Sequence, residues 1–277
     1  MKTKIFILFL FVSMSISAQD FYGKATYKTH RKSNIKLDSS TVAANPGIQE
    51  QLKARMQKMF QKTFILNFTK SESTYKEDEK LDAPTKPQAN GGVMVMSFGA
   101  GGGGNNVIYK NVKENRSSNK TELLGKVFLV KDELVEYDWK LTGETKNIGN
   151  YTCYKAVYER EEENISMSMV NGDAKEKTET VTRTTTAWYT LDIPVNNGPQ
   201  NYWGLPGLIL EIKDGNLTIV CTEIVLNPEE RPEIKEPEKG KVVTREKFEK
   251  ISREKTKEMM DRFKSRNGQG MEIRIGG

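Results

Sequence analysis

The chain has 277 residues, 36% of them hydrophobic, with 43 Lys and Arg against 37 Asp and Glu. It is therefore long enough to bury a real core, and its charges are too evenly balanced to indicate nucleic acid or an anionic membrane as partner. One histidine and two cysteines are too few to build a zinc site.

Lys2 and Lys4 precede the apolar run Ile5 to Val12, and small residues follow as far as Ala18. That is the pattern of a signal peptide over residues 1–18, too short to span a bilayer. The expectation is export to the periplasm, the outer membrane or the exterior. No cysteine stands at the end of the leader to take a lipid.

Phe21 to His30 alternates as a first strand. Pro46 to Lys62 carries Ile48, Leu52, Met56, Met59 and Phe60 at helical spacing, with Asn45 and Pro46 at its start. Thr63 to Lys76 reads as one strand, with Phe64, Leu66 and Phe68 on one face. Residues 80–106 contain Pro84, Pro87 and a dense glycine tract, which predicts a flexible insertion. No Lys-Ser/Thr pair follows those glycines, so a phosphate-binding loop is excluded. Strand patterns resume at Val107 to Val112, Lys126 to Val130, Val135 to Leu141 and Ile148 to Met169. Asn171-Gly172 between two such runs predicts a long hairpin.

Trp188 to Ile212 is the densest mixture of proline, glycine, tryptophan and aliphatic residues in the chain. Asp192 to Tyr202 should be an ordered loop that crosses the sheet without pairing into it. Pro206-Gly207 fits the centre of a type II turn from Leu205 to Leu208, with φ > 0 at Gly207. Leu208, Ile209, Leu210 and Ile212 then form a buried strand, which turns at Asp214-Gly215-Asn216 into an antiparallel partner, Leu217 to Leu226. Pro228, Pro232 and Pro237 mark 227–243 as a linker. A charged helix follows over 244–266, with Phe248, Ile251, Met259 and Phe263 as its stripe, and 267–277 reads as a disordered tail.

These elements predict a mainly β (α+β) domain over 19–226. Its core is a single curved antiparallel sheet with one N-proximal and one C-terminal helix, a half-barrel similar in pattern to bacterial lipoprotein carriers. A β-sandwich is the alternative. Cys153 and Cys221 each fall inside a strand, and a disulfide and two buried thiols both remain open.

The hexapeptide Gly204-Leu205-Pro206-Gly207-Leu208-Ile209 resembles the signature of the GLPGLI family of secreted proteins from Gram-negative bacteria. So do the blocks around Phe64 to Phe68, Ser73 and Tyr75, around Asp138 to Leu141 and around Tyr151 to Ala156. The resemblance covers roughly residues 20–226 and brings no established activity with it. It implies company with TonB-dependent outer-membrane receptors.

The catalytic inventory is short. His30 is the only histidine, no nucleophile motif accompanies it, and Glu159 to Glu163 reads as a solvated hairpin edge. The expectation is a protein that is not an enzyme and holds no cofactor. Binding is the remaining class, with Asp138, Trp139, Trp188, Tyr202 and Trp203 as candidate ligand or partner contacts, although core or capping roles suit them too. Two alternatives stand beside a partner-binding protein. One is a carrier of a small apolar ligand or lipid in the concave face. The other is soft-metal (copper) binding by Met94, Met96, Met167 and Met169, since two thioethers at i and i+2 of a strand share a face.

Overall fold

A computed structural model of the protein describes residues 21–31, 61–78, 106–170, 173–266 and 273–274. The expected leader, most of the helix proposed for 46–62 and the glycine-rich insertion lie outside the described residues.

Thirteen strands join in one open sheet. In chain order they are β1 (Tyr22–Arg31), β2 (Thr63–Thr69), β3 (Glu72–Glu77), β4 (Val107–Asn111), β5 (Arg116–Leu123), β6 (Lys126–Glu133) and β7 (Lys140–Ile148). Then follow β8 (Tyr151–Val170), β9 (Asp173–Thr190), β10 (Leu208–Asp214), β11 (Leu217–Leu226), β12 (Lys241–Val243) and β13 (Ile273–Arg274). One helix, α1 (Arg245–Arg266), completes the described elements. The spatial order is β12-β6-β5-β4-β3-β2-β1-β11-β10-β9-β8-β13, with β7 also on β8. Every pair is antiparallel except β12 on β6. The mainly β, single curved sheet expected from the sequence is what forms, and the sandwich is not.

The curvature follows from one connection. β6 and β7 lie at opposite ends of a path of eleven strands, about 48 Å apart if the sheet were flat, at about 4.8 Å per step. The chain joins them through Leu134–Trp139 alone, which reaches at most about 25 Å even when extended. The sheet must therefore curl until its two ends approach.

Register puts the apolar side chains on the inner face. Ala25 pairs with Leu66 and Leu66 with Tyr75, while Ala156, Ala187, Ile212 and Ile219 follow one another across β8 to β11. All belong to one buried cluster, and Ile193, Val195, Tyr202 and Leu205 of the 191–207 loop join it from above. Leu208, Ile209, Leu210 and Ile212 are each no more than 1% exposed. A register shift between Ile209 and Glu211 lets this short run bury side chains in succession.

Several local expectations change. Thr63 to Lys76 is a hairpin and not one strand. The Thr69 hydroxyl accepts the N–H groups of Ser71 (3.3 Å) and Glu72 (3.0 Å), making a turn without glycine. Residues 135–139 are not a strand, which begins only at Lys140. β5, Arg-Ser-Ser-Asn-Lys-Thr-Glu-Leu, has no apolar alternation, yet β4 and β6 pair with it on both sides.

The segment expected as a linker is docked on the outer face. The Asn227 N–H donates to Tyr22 O (2.9 Å), and Glu236 pairs with Arg116 and with Lys131 (3.1 Å) and accepts from the Ser118 hydroxyl. β12 then adds to β6, and α1 starts with Thr244 as its cap and Asp132 of β6 accepting the Arg245 N–H (3.0 Å). Phe248 and Ile251 pack on Phe128, Val130 and Val243. Within the expected disordered tail, Ile273 and Arg274 pair with Met167 and Ser166.

Candidate functional site

The hexapeptide works differently from the type II turn that its sequence suggests. Gly207 does not have positive φ; Gly204 does, at +93°. A type II turn would send the Leu208 N–H to Leu205, but it donates instead to Ile193 O (2.9 Å). Gly207 is needed for space, because a Cβ there would lie 1.9 Å from Thr190 O. The hexapeptide thus lets the end of β9 and the start of β10 press backbone to backbone.

The loop that precedes it is tied down along its length. The Asn197 Oδ1 accepts from the Ser73 hydroxyl (3.1 Å) and from the Gly198 N–H (2.9 Å), and the Ile209 N–H donates to Asn197 O (3.0 Å). Lys110 of β4 is fully buried, and its Nζ donates to Gly198 O (2.7 Å) and Tyr202 O (3.0 Å). Burial holds the Lys110 amine well below the usual lysine range.

At the seam between the sheet's ends, the loop meets the Leu134–Trp139 connector. The Trp203 Nε1–H donates to Val135 O (2.6 Å), and the Trp139 Nε1–H donates to Trp203 O (2.9 Å). Tyr137 stacks on Trp139 at 5.4 Å, meets Tyr158 edge-on at 5.3 Å and lies 5.4 Å from Tyr202. The Tyr202 hydroxyl donates to Asp214 Oδ2 (2.8 Å), which Arg160 also pairs at 3.0 Å while donating to the Thr185 hydroxyl (2.8 Å). Burial pushes the Tyr137 phenol up to about 12. Asp138 is exposed at the rim, and Trp139 is half-buried.

Four of the five predicted contacts, Asp138, Trp139, Tyr202 and Trp203, therefore come together. Trp188 does not. Its neighbours Ala187 and Tyr189 face inwards, so alternation turns Trp188 to the outer face, where Lys146 Nζ lies 4.3 Å over its ring and 2.6 Å from Glu211 Oε2. Tyr137, Tyr158, Arg160, Asp214 and Lys110 were not legible as site residues. Lone tyrosines and charges in strands carry no spacing that would mark them.

Both cysteines are buried free thiols. Both belong to the same core cluster, with Cys221 opposite Tyr27 on β1 and Cys153 opposite Lys146 on β7. Burial pushes Cys153 up to about 11 and Cys221 up to about 12.

Met94 and Met96 lie outside the described residues. Met167 and Met169 stand opposite Glu176 and Ala174 on the backbone of the β8–β9 hairpin. His30 lines a separate open groove of about 450 Å³ with Lys28 and Lys62. Among the described residues, no three His, Cys, Asp or Glu side chains gather where a metal ion would sit, and no helix is long and apolar enough to cross a membrane.

The seam cluster spends its hydrogen-bonding groups on itself. Both indole N–H groups, the Tyr202 hydroxyl and the Asp214 carboxylate are all engaged internally. Ring surface and the Asp138 carboxylate stand at its outside.

No curated protein matches the chain. Two solved structures are similar, described as "Structure of PNGF-II in C2 space group" and "Structure of PNGF-II in P21 space group". They match 84% and 83% of this chain at 16% identity, with TM-scores of 0.45 and 0.44. The chain spans about a third of their length, 32% and 33%. Residues 139–211, from the tryptophan of the seam through the hexapeptide to Glu211, match the model of a family described as "Protein of unknown function (Porph_ging)".

Proposed function

We propose that the protein is an exported, non-catalytic binding or accessory protein of the cell envelope, of the GLPGLI kind, working beside a TonB-dependent outer-membrane receptor. The observation that carries this reading is the seam: a half-exposed aromatic surface, fixed by internal hydrogen bonds, at the rim of a curled sheet. Aromatic side chains held rigid at a rim gain contact area at little entropic cost, as interface hot spots do. The basic, apolar and small-residue succession over residues 1–18 supports export.

The test places a photo-crosslinking side chain at Asp138 in cells expressing the full chain. The expected result is a dominant adduct with an outer-membrane receptor, diminished at least several-fold by Trp139→Ala. The same probe at Thr184, exposed on the far hairpin, serves as control. Equal labelling from both positions, or an uncleaved leader on cytoplasmic protein, would sink the reading.

A further inference from the structure

A lysine with no exposed surface and no carboxylate within ion-pair distance needs an explanation, since desolvating its charge is costly and its stem could have been a leucine. Among the described residues, Lys110 is such a residue. It stands on β4, and the 191–207 loop begins at the end of β9, which is separated from β4 in the sheet by β10, β11, β1, β2 and β3. The loop crosses the inner face to reach it. There, the lysine binds main-chain carbonyls and not side chains, so it reads the path of the loop backbone itself. The two carbonyls bracket Pro199 to Asn201, the turn in which the Tyr202 N–H donates to Pro199 O (3.1 Å) and Gln200 has φ +51°. Tyr202 and Trp203, immediately beyond, are the loop's contribution to the seam. Next to this grip, Ser73, which pairs with Lys110 across β3 and β4, holds Asn197. Asn197 and Lys110 thus hold neighbouring points of the loop, Asn197 through side chain and backbone and Lys110 through two main-chain carbonyls.

We propose that Lys110 is a positioning residue for the seam: its amine latches the turn at 198–202 to the far wall of the sheet and thereby sets Tyr202 and Trp203 against Tyr137 and Trp139. This rests on the seam being the contact surface only for its functional consequence; the latch itself is read without any partner.

Hydrogen exchange of the purified chain compares wild type with Lys110→Met, which keeps the stem and removes the donors. The expected result is at least a tenfold faster exchange at the Gly198 and Tyr202 amides, with β1 and β2 unchanged, and a several-fold loss of the Asp138 adduct. Unchanged exchange at those amides, or acceleration spread evenly over the sheet, overturns the latch. An intact latch response with no adduct from wild type would instead count against the seam as a contact surface. Should Lys110→Met fail to fold, acetylation of wild-type lysines in rising urea takes its place. Lys110 should become modifiable at the urea concentration where Gly198 and Tyr202 lose protection, below the unfolding midpoint. Modification only with global unfolding would refute the proposal.

Discussion

Two glycines three residues apart impose different demands, and substitution separates them. At Gly207 a methyl group would have to displace backbone, since the nearest atoms are Thr190 O at 1.9 Å and Thr190 C at 2.7 Å. Gly207→Ala should therefore cost about 2–3 kcal/mol or more, the range of overpacking that side chains cannot relieve. Gly204 has room, its nearest neighbours being Trp139 ring atoms at 3.9 Å, but its φ of +93° disfavours any L side chain. Gly204→Ala should cost about 1–2 kcal/mol, and denaturant unfolding of the two variants checks the order. A smaller effect at Gly207 than at Gly204 would show that the two strands do not meet so closely. The pair also marks what sequence reasoning gets wrong at this scale. Proline-glycine suggested a type II turn and so assigned positive φ to the wrong glycine, because the partner that decides, Thr190, lies 17 positions upstream.

At the scale of elements, the docked segment before β12 should respond to acid. Burial alone would raise the Glu236 carboxyl, but the Ser118 hydroxyl, then Arg116 and Lys131, outweigh it and hold the group down to about 2. A carboxylate depressed in the folded state stabilises above its unfolded value of about 4.3 and loses that contribution as pH falls towards 2. Limited proteolysis at Lys235 and Lys239 should therefore accelerate between about pH 4 and pH 2, and Glu236→Gln should show the faster cleavage already at neutral pH. Equal cleavage of wild type and variant at neutral pH would show that Glu236 does not hold the segment. None of this was visible in a stretch whose prolines and charges spelled linker, since an extended chain can lie against a sheet as readily as in water. The same limit hid β5, whose polar strand is specified by its two neighbours, and merged β2 with β3, whose turn is made by a threonine hydroxyl. Alternating runs such as Phe21 to His30, and the Asn171-Gly172 hairpin, were legible because their signals are local.

For the whole molecule, β1 sits in the middle of the sheet, between β2 and β11, and its Ala25 and Tyr27 are fully buried. A chain ending at Asp214 lacks β11 and should show no cooperative thermal transition, because β1 then has an open side and Ala25 and Tyr27 lose their cover. A chain ending at Thr244 lacks α1 and the two-residue β13 and should keep one, with exposure confined to Phe128, Val130 and Val243 and to the β13 position on β8. Near-ultraviolet circular dichroism distinguishes the two, and a cooperative melt from the shorter chain would mean that the sheet does not depend on its central seamless pairing.

That pairing also sets a schedule. Thr26 and Glu223 are partners 197 residues apart, so at about 5–20 residues per second a nascent chain spends roughly 10–40 s with its first strand made and half its bonding edge vacant. Such an edge is a template for wrong partners, and a polypeptide built on this plan has reason to be kept unfolded by a chaperone until its last third has been synthesised.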